Sequence, residues 1–104
     1  MAWFYLLLAG LMEIGWAVAL KQSQQFSQLI PTILFLICSP LSFLLLMLAL
    51  KEIPLGTGYA IWTGIGAAGV AIIGIIFLGE PLNIPRVFFL TLIITGIIGL
   101  KFTV

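Results

Sequence analysis

Apolar positions in this chain fall into four long runs joined by short polar links. The runs cover residues 2–20, 29–50, 55–78 and 84–103. Each is close to the ~20 residues that a helix rising 1.5 Å per residue needs to cross a bilayer core of roughly 30 Å. Between them lie Lys21–Gln28 (KQSQQFSQ), then Lys51-Glu52-Ile53-Pro54, then Gly79-Glu80-Pro81-Leu82-Asn83. No segment alternates apolar and polar residues in the way the strands of a barrel do. Helices are the other structure that satisfies its own backbone inside lipid, so the pattern predicts an all-α integral membrane protein. The expected fold is a four-helix transmembrane bundle forming a single domain over residues 1–104.

Composition narrows the function classes. The chain is 63% hydrophobic and 7% charged, whereas a soluble domain carries about 25% charged residues. There is no basic surface for nucleic acid. Histidine is absent and Cys38 is the single cysteine, which removes an intrachain disulfide and a zinc site. Cys38, inside an apolar run, is expected to be a small core or lipid-facing residue. The first run lacks a basic leader and contains an acid, so it is expected to be retained rather than cleaved as a signal peptide.

That acid, Glu13, is the candidate functional residue. It is the only acidic or basic side chain charged at neutral pH between Ala2 and Leu20, and it lies about 16 Å along the helix from Ala2, near the membrane midplane. A carboxyl group at that depth is costly and marks a functional site by default. Residues three and four apart share a helix face, which groups Glu13 with Ala9, Gly10, Trp16 and Ala17. Tyr59, Trp62 and Gly66 share a face of the third helix, and Ser39, Ser42 and Leu46 one of the second. Ser42, Tyr59, Trp16 and Trp62 are the expected hydrogen-bond donors to the carboxylate. Aromatic ring faces also attract cations, so an acid with this surround suggests a cation site. Trp3, Phe4 and Tyr5 are interfacial aromatics, Glu52 and Glu80 are expected to be solvated, and Lys101 to reach the headgroups.

The charge distribution is balanced. With four crossings, Lys51 and Lys101 fall on one side and Lys21 and Arg86 on the other. The count used by the positive-inside rule is therefore two against two. Either so few charges are uninformative, or the chain inserts both ways and two copies pair antiparallel. In the third run, Gly64 and Gly66 remove side chains mid-helix and serve close packing, a hinge, or both. Gly96 and Gly99 give the last helix a small-residue face suited to helix packing or dimerisation.

With these residues assembled, the chain resembles the small multidrug resistance family of bacterial transporters along nearly its whole length. The series Lys51-x-x-Pro54-x-Gly56-Thr57-x-Tyr59-Ala60-Ile61-Trp62-Thr63-Gly64-Ile65-Gly66 is close to that family's signature. Gly10-x-x-Glu13-x-x-Trp16 and Gly96-Ile-Ile-Gly99-Leu-Lys101 resemble the guanidinium-exporter subtype. The resemblance implies a transporter without cofactor or enzymatic activity, in the bacterial inner membrane. It implies an antiparallel, dual-topology homodimer that exchanges protons for guanidinium or small guanidinyl cations, with both competing for Glu13. Gly10, Trp16, Ser42, Tyr59 and Trp62 would support the site, with Gly64 and Gly66 as the hinge and Gly96 and Gly99 in dimer packing. Three positions depart from the family pattern: Gly58 replaces the usual alanine, Pro40 interrupts the second helix, and Phe89 replaces a glycine frequent in multidrug members. Rival readings are an exporter of quaternary ammonium or aromatic cations, a non-transporting membrane subunit, and a heterodimer with a paralogous chain.

Overall fold

A computed structural model describes residues 1–103, and all four apolar runs are helical in it. The helices are α1 (Ala2–Gln22), α2 (Leu29–Ala49), α3 (Leu55–Phe77) and α4 (Ile84–Phe102). The described residues contain no strand. Helix α1 runs two residues past its apolar stretch, because Lys21 and Gln22 carry polar ends on long stems that reach water. Lys21 also places a cation in the last turn, where the helix dipole favours it. The other helices end one residue before their apolar runs do, at the C-caps Leu50, Leu78 and Thr103.

The order of packing follows side-chain size. Helix α1 lies against both α2 and α3, while α4 lies along α3. Ala2 and Ala9 of α1 and Ala49 of α2 are buried, and such small residues bring helix backbones close. Leu6, Leu46, Ile53, Ile61 and Trp62 complete the same core. This core occupies the half of the bundle that holds the α1 N-terminus. Helix α4 buries none of its residues. Its last turn nonetheless returns to the start of α1, with Lys101 Nζ 4.9 Å from the centre of the Trp3 ring. The first and last turns of the bundle therefore share one end. The Cα trace measures 41 × 35 × 16 Å, so the helices form a flat layer.

The loops differ in how they are closed. In the first, Gln24, Gln25 and Phe26 take left-handed backbone angles, with φ of 50°, 63° and 67°. That conformation costs L-residues roughly 1–2 kcal/mol each. Buried Ser23 offsets the cost: its hydroxyl donates to Leu20 O (2.7 Å) and accepts from Phe26 N (3.2 Å). The Ser23 carbonyl also accepts from the amides of Ser27 and Gln28. In the third loop, Gly79 supplies the positive φ of 72°. Asn83 Oδ1 then caps α4 by accepting from Arg86 N at 2.9 Å. Glu80 is not simply solvated, since Arg86 Nη2 donates to it at 2.7 Å, but both side chains remain partly exposed.

Candidate functional site

Glu13 sits where α1 crosses α3, and glycines on both helices create the room. A Cβ built on Gly66 would fall 2.6 and 2.7 Å from the two carboxylate oxygens of Glu13. The carboxylate therefore rests against α3 backbone, in space that any larger residue would fill. One turn earlier the relation is reversed, with Ile65 of α3 seated on Gly10 of α1 (2.7 Å to the corresponding Cβ position). One turn later, Ile14 enters the space over Gly69. Gly10 and Gly66 thus fix the register of the two helices around the acid.

Two of the donors expected at Glu13, Ser42 and Trp62, are engaged elsewhere. Ser42, with no exposed surface, donates its hydroxyl to the Ala9 carbonyl at 2.7 Å. It accepts from the Trp62 indole Nε1 at 3.0 Å. These bonds tie α2 to α1 and α3 one turn from Glu13. The carbonyl competes successfully because Ala9 has too small a side chain to cover it. Among the described residues, Glu13 Oε2 and Trp16 Nε1 are both buried without a hydrogen-bond partner. An acceptor and a donor on one face of α1 are thus left for other groups. Buried polar atoms are normally paired, and unpaired ones concentrate where a ligand or chemistry is served.

Aromatic rings surround this face. Trp16 packs edge-on against Phe35 (centroids 5.8 Å) and against Phe43 (6.3 Å) of α2. Phe43 continues to Trp62 at 5.6 Å, and Trp62 to Tyr59 at 5.6 Å. Phe26 joins the other end through Phe35. Sequence reasoning singled out Trp16, Tyr59 and Trp62 but missed Phe35 and Phe43, which connect them. Their spacing, four residues either side of Ser39, was the available signal. Tyr59 is half-exposed at the open end of this row.

The remaining glycines separate into two kinds. Gly64 faces α4, where a Cβ would meet Ile97 at 2.8 Å, so it admits α4 rather than lining the site. Helix α3 is continuous through Gly64 and Gly66. Gly96 and Gly99 have no atom within 4 Å of a built Cβ and lie open on α4. Pro40 is inside α2 and leaves the Leu36 carbonyl without its usual donor, yet Ser42 two residues later is fully engaged. Cys38 approaches Gly15 of α1 (3.9 Å from Sγ to a Cβ there) and makes no disulfide.

Residues 1–93 match the family described as Small Multidrug Resistance protein. The chain belongs to the small multidrug resistance family. Its similarity extends across all four helices. It is 52% identical to a protein named guanidinium exporter from Yersinia pseudotuberculosis, over 97% of both chains. It is 52% identical to one so named from Salmonella typhimurium, over 97% of this chain and 96% of the other. For the guanidinium exporter of Escherichia coli K12 the identity is 50%, over the same shares. Membership makes the chain a multi-pass membrane transporter and not an enzyme.

Proposed function

We propose that this protein is an antiporter that exports guanidinium or small guanidinyl cations in exchange for protons, both competing for Glu13. The observation that carries the reading is the buried, unpartnered pair on α1, Glu13 Oε2 and Trp16 Nε1. The relatives named guanidinium exporter support the choice of cation. A guanidinium ion is planar, and its N–H groups match a carboxylate with two parallel hydrogen bonds. The ring faces of Trp16, Tyr59 and Trp62 attract the same charge. Ser42 holds Trp62 in place, and Gly10 and Gly66 set the depth at which the carboxylate stands.

Because one carboxylate serves both ligands, a bound proton excludes the cation and a bound cation excludes the proton. Exchange follows if the site closes around either ligand and not when empty and anionic. We assign the change of shape to α3 at Gly64 and Gly66, where backbone without side chains bends at low steric cost. The functional unit is an antiparallel homodimer, supported by the open Gly96 and Gly99 face of α4 and by the balanced loop charges. It resides in the bacterial inner membrane.

The second reading, export of quaternary ammonium or aromatic cations, draws support from the continuous ring row through Phe35 and Phe43. Trp16 opposes it by narrowing the site. Binding of guanidinium and of tetrapropylammonium to the purified protein separates the two. The proposal expects saturable guanidinium binding that the quaternary ion does not displace. Displacement by tetrapropylammonium at lower concentration than guanidinium would overturn it.

A further inference from the structure

At the end of the bundle away from loops one and three, an apolar groove of about 530 Å³ lies over α3 between α1 and α4. Its walls include Phe4 and Leu7 of α1, Ile61 and Ile65 of α3, and Ile98 of α4. Lys101 is the only ionisable side chain in the lining. Its ammonium is 4.9 Å from the Trp3 ring centre and 5.8 Å from that of Phe102. These rings hold the cation by their faces and leave its N–H donors available. Among the described residues, the one salt bridge is Arg86–Glu80, and none of their carboxylates pairs with Lys101.

We propose that this groove binds an anionic phospholipid, with the upper part of one acyl chain between α1 and α4 and the phosphate on Lys101. The depth agrees: from Phe102 to Ile97 is about 7.5 Å along α4, the outer half of a leaflet roughly 15 Å thick. The charge agrees as well. A zwitterionic headgroup brings its own cation toward Lys101, and the described residues of the lining include no carboxylate to receive it. A second copy is the competing occupant, but the face of α4 open to one is elsewhere. Ile98 and Gly96 are two residues apart, which at about 100° per residue puts them roughly 160° apart around the helix. A copy packed on Gly96 and Gly99 reaches the Phe102 edge of the groove and leaves Ile98 and Lys101 facing lipid.

Trp3 lines the groove and reports on it. The test uses the full-length protein in vesicles of phosphatidylcholine that contain bromine-labelled phosphatidylglycerol or bromine-labelled phosphatidylcholine at the same fraction. Bromine on the upper acyl chain quenches a tryptophan in contact with it, and Trp3→Phe identifies the part that comes from Trp3. The expected result is an association of labelled phosphatidylglycerol about fivefold stronger than that of phosphatidylcholine, the factor that one lysine near an anionic surface supplies. Lys101→Gln should abolish the preference and Lys101→Arg should keep it. Ile98→Phe, which fills the groove and leaves the lysine in place, should abolish it too. Equal quenching by the two lipids would overturn the proposal. So would a preference that survives Lys101→Gln, or one that survives Ile98→Phe, which would be attraction at the surface without a groove site. Trp3 unquenched by either lipid would show the groove covered by another chain, and would overturn it equally.

Discussion

Gly66→Ala is the substitution that most sharply separates the position of the carboxylate from the integrity of the fold. A methyl at residue 66 would stand 2.6 Å from the nearer Glu13 oxygen, and ordinary contact begins near 3.4 Å. The carboxylate must therefore retreat by at least 0.8 Å (3.4 − 2.6). What must move is the free end of a flexible side chain, so the fold loses little. The helix itself gains, since alanine is favoured over glycine by about 0.8–1 kcal/mol. Function loses instead, because the displaced group is the ligand. Misplacement approaching 1 Å costs up to about a hundredfold. We expect Gly66→Ala to fold normally in detergent and to bind guanidinium about ten- to a hundredfold more weakly, or roughly 1.4–2.8 kcal/mol. Gly64→Ala is the control: it presses on Ile97 of α4, not on Glu13, and should leave equilibrium binding near wild type. Stiffening of α3 would slow transport in both variants, so binding measured by titration calorimetry, and not flux, is decisive. Unchanged affinity in a folded Gly66→Ala protein would refute the placement of the carboxylate against α3.

Three further outcomes follow from the same geometry. Trp16→Gly, which removes an indole packed on Phe35 and Phe43, should admit larger hydrophobic cations at the expense of guanidinium, read by competitive uptake. Ser42→Ala strands the Trp62 indole N–H and removes the second bond to the Ala9 carbonyl, and should cost about 1–3 kcal/mol in unfolding measured in detergent. A topology reporter fused after α4 should signal from both sides of the membrane, and Gln22→Lys with Gln28→Lys should bias it to one side and reduce transport.

The four helices were legible because lipid imposes a simple demand: about 20 apolar residues per crossing, whatever their order. Glu13 was legible for the same reason, as the one charge in a run that excludes charge. What lay outside the reach of pattern was contact between helices. Residues sharing a face of α3 can be read from spacing, but spacing does not say that Gly66 meets Glu13 while Gly64 meets Ile97. The hydroxyl of Ser42 was expected at the acid. It bonds the Ala9 carbonyl instead, a matter of register that a single chain's periodicity does not encode. The left-handed turn at Gln24–Phe26 was hidden as well, since the stretch has no glycine or asparagine to announce a positive φ. Its stability comes from Ser23 and from the ring contact between Phe26 and Phe35, which join residues on either side of the loop.

Guanidinium uptake into proteoliposomes, driven by an imposed pH gradient, tests the exchange at Glu13 most directly, with Glu13→Gln measured beside the wild type. Competition for one carboxylate predicts that protons leaving the vesicle carry guanidinium in against its own gradient. It also predicts an apparent guanidinium affinity that weakens as pH falls, because added protons occupy the site that the cation needs. Glu13→Gln, which retains shape and loses the charge, should abolish both the uptake and the pH dependence of binding. Uptake that persists in Glu13→Gln, or a wild-type affinity that stays flat from alkaline to acid pH, would contradict the exchange of protons for guanidinium at this residue.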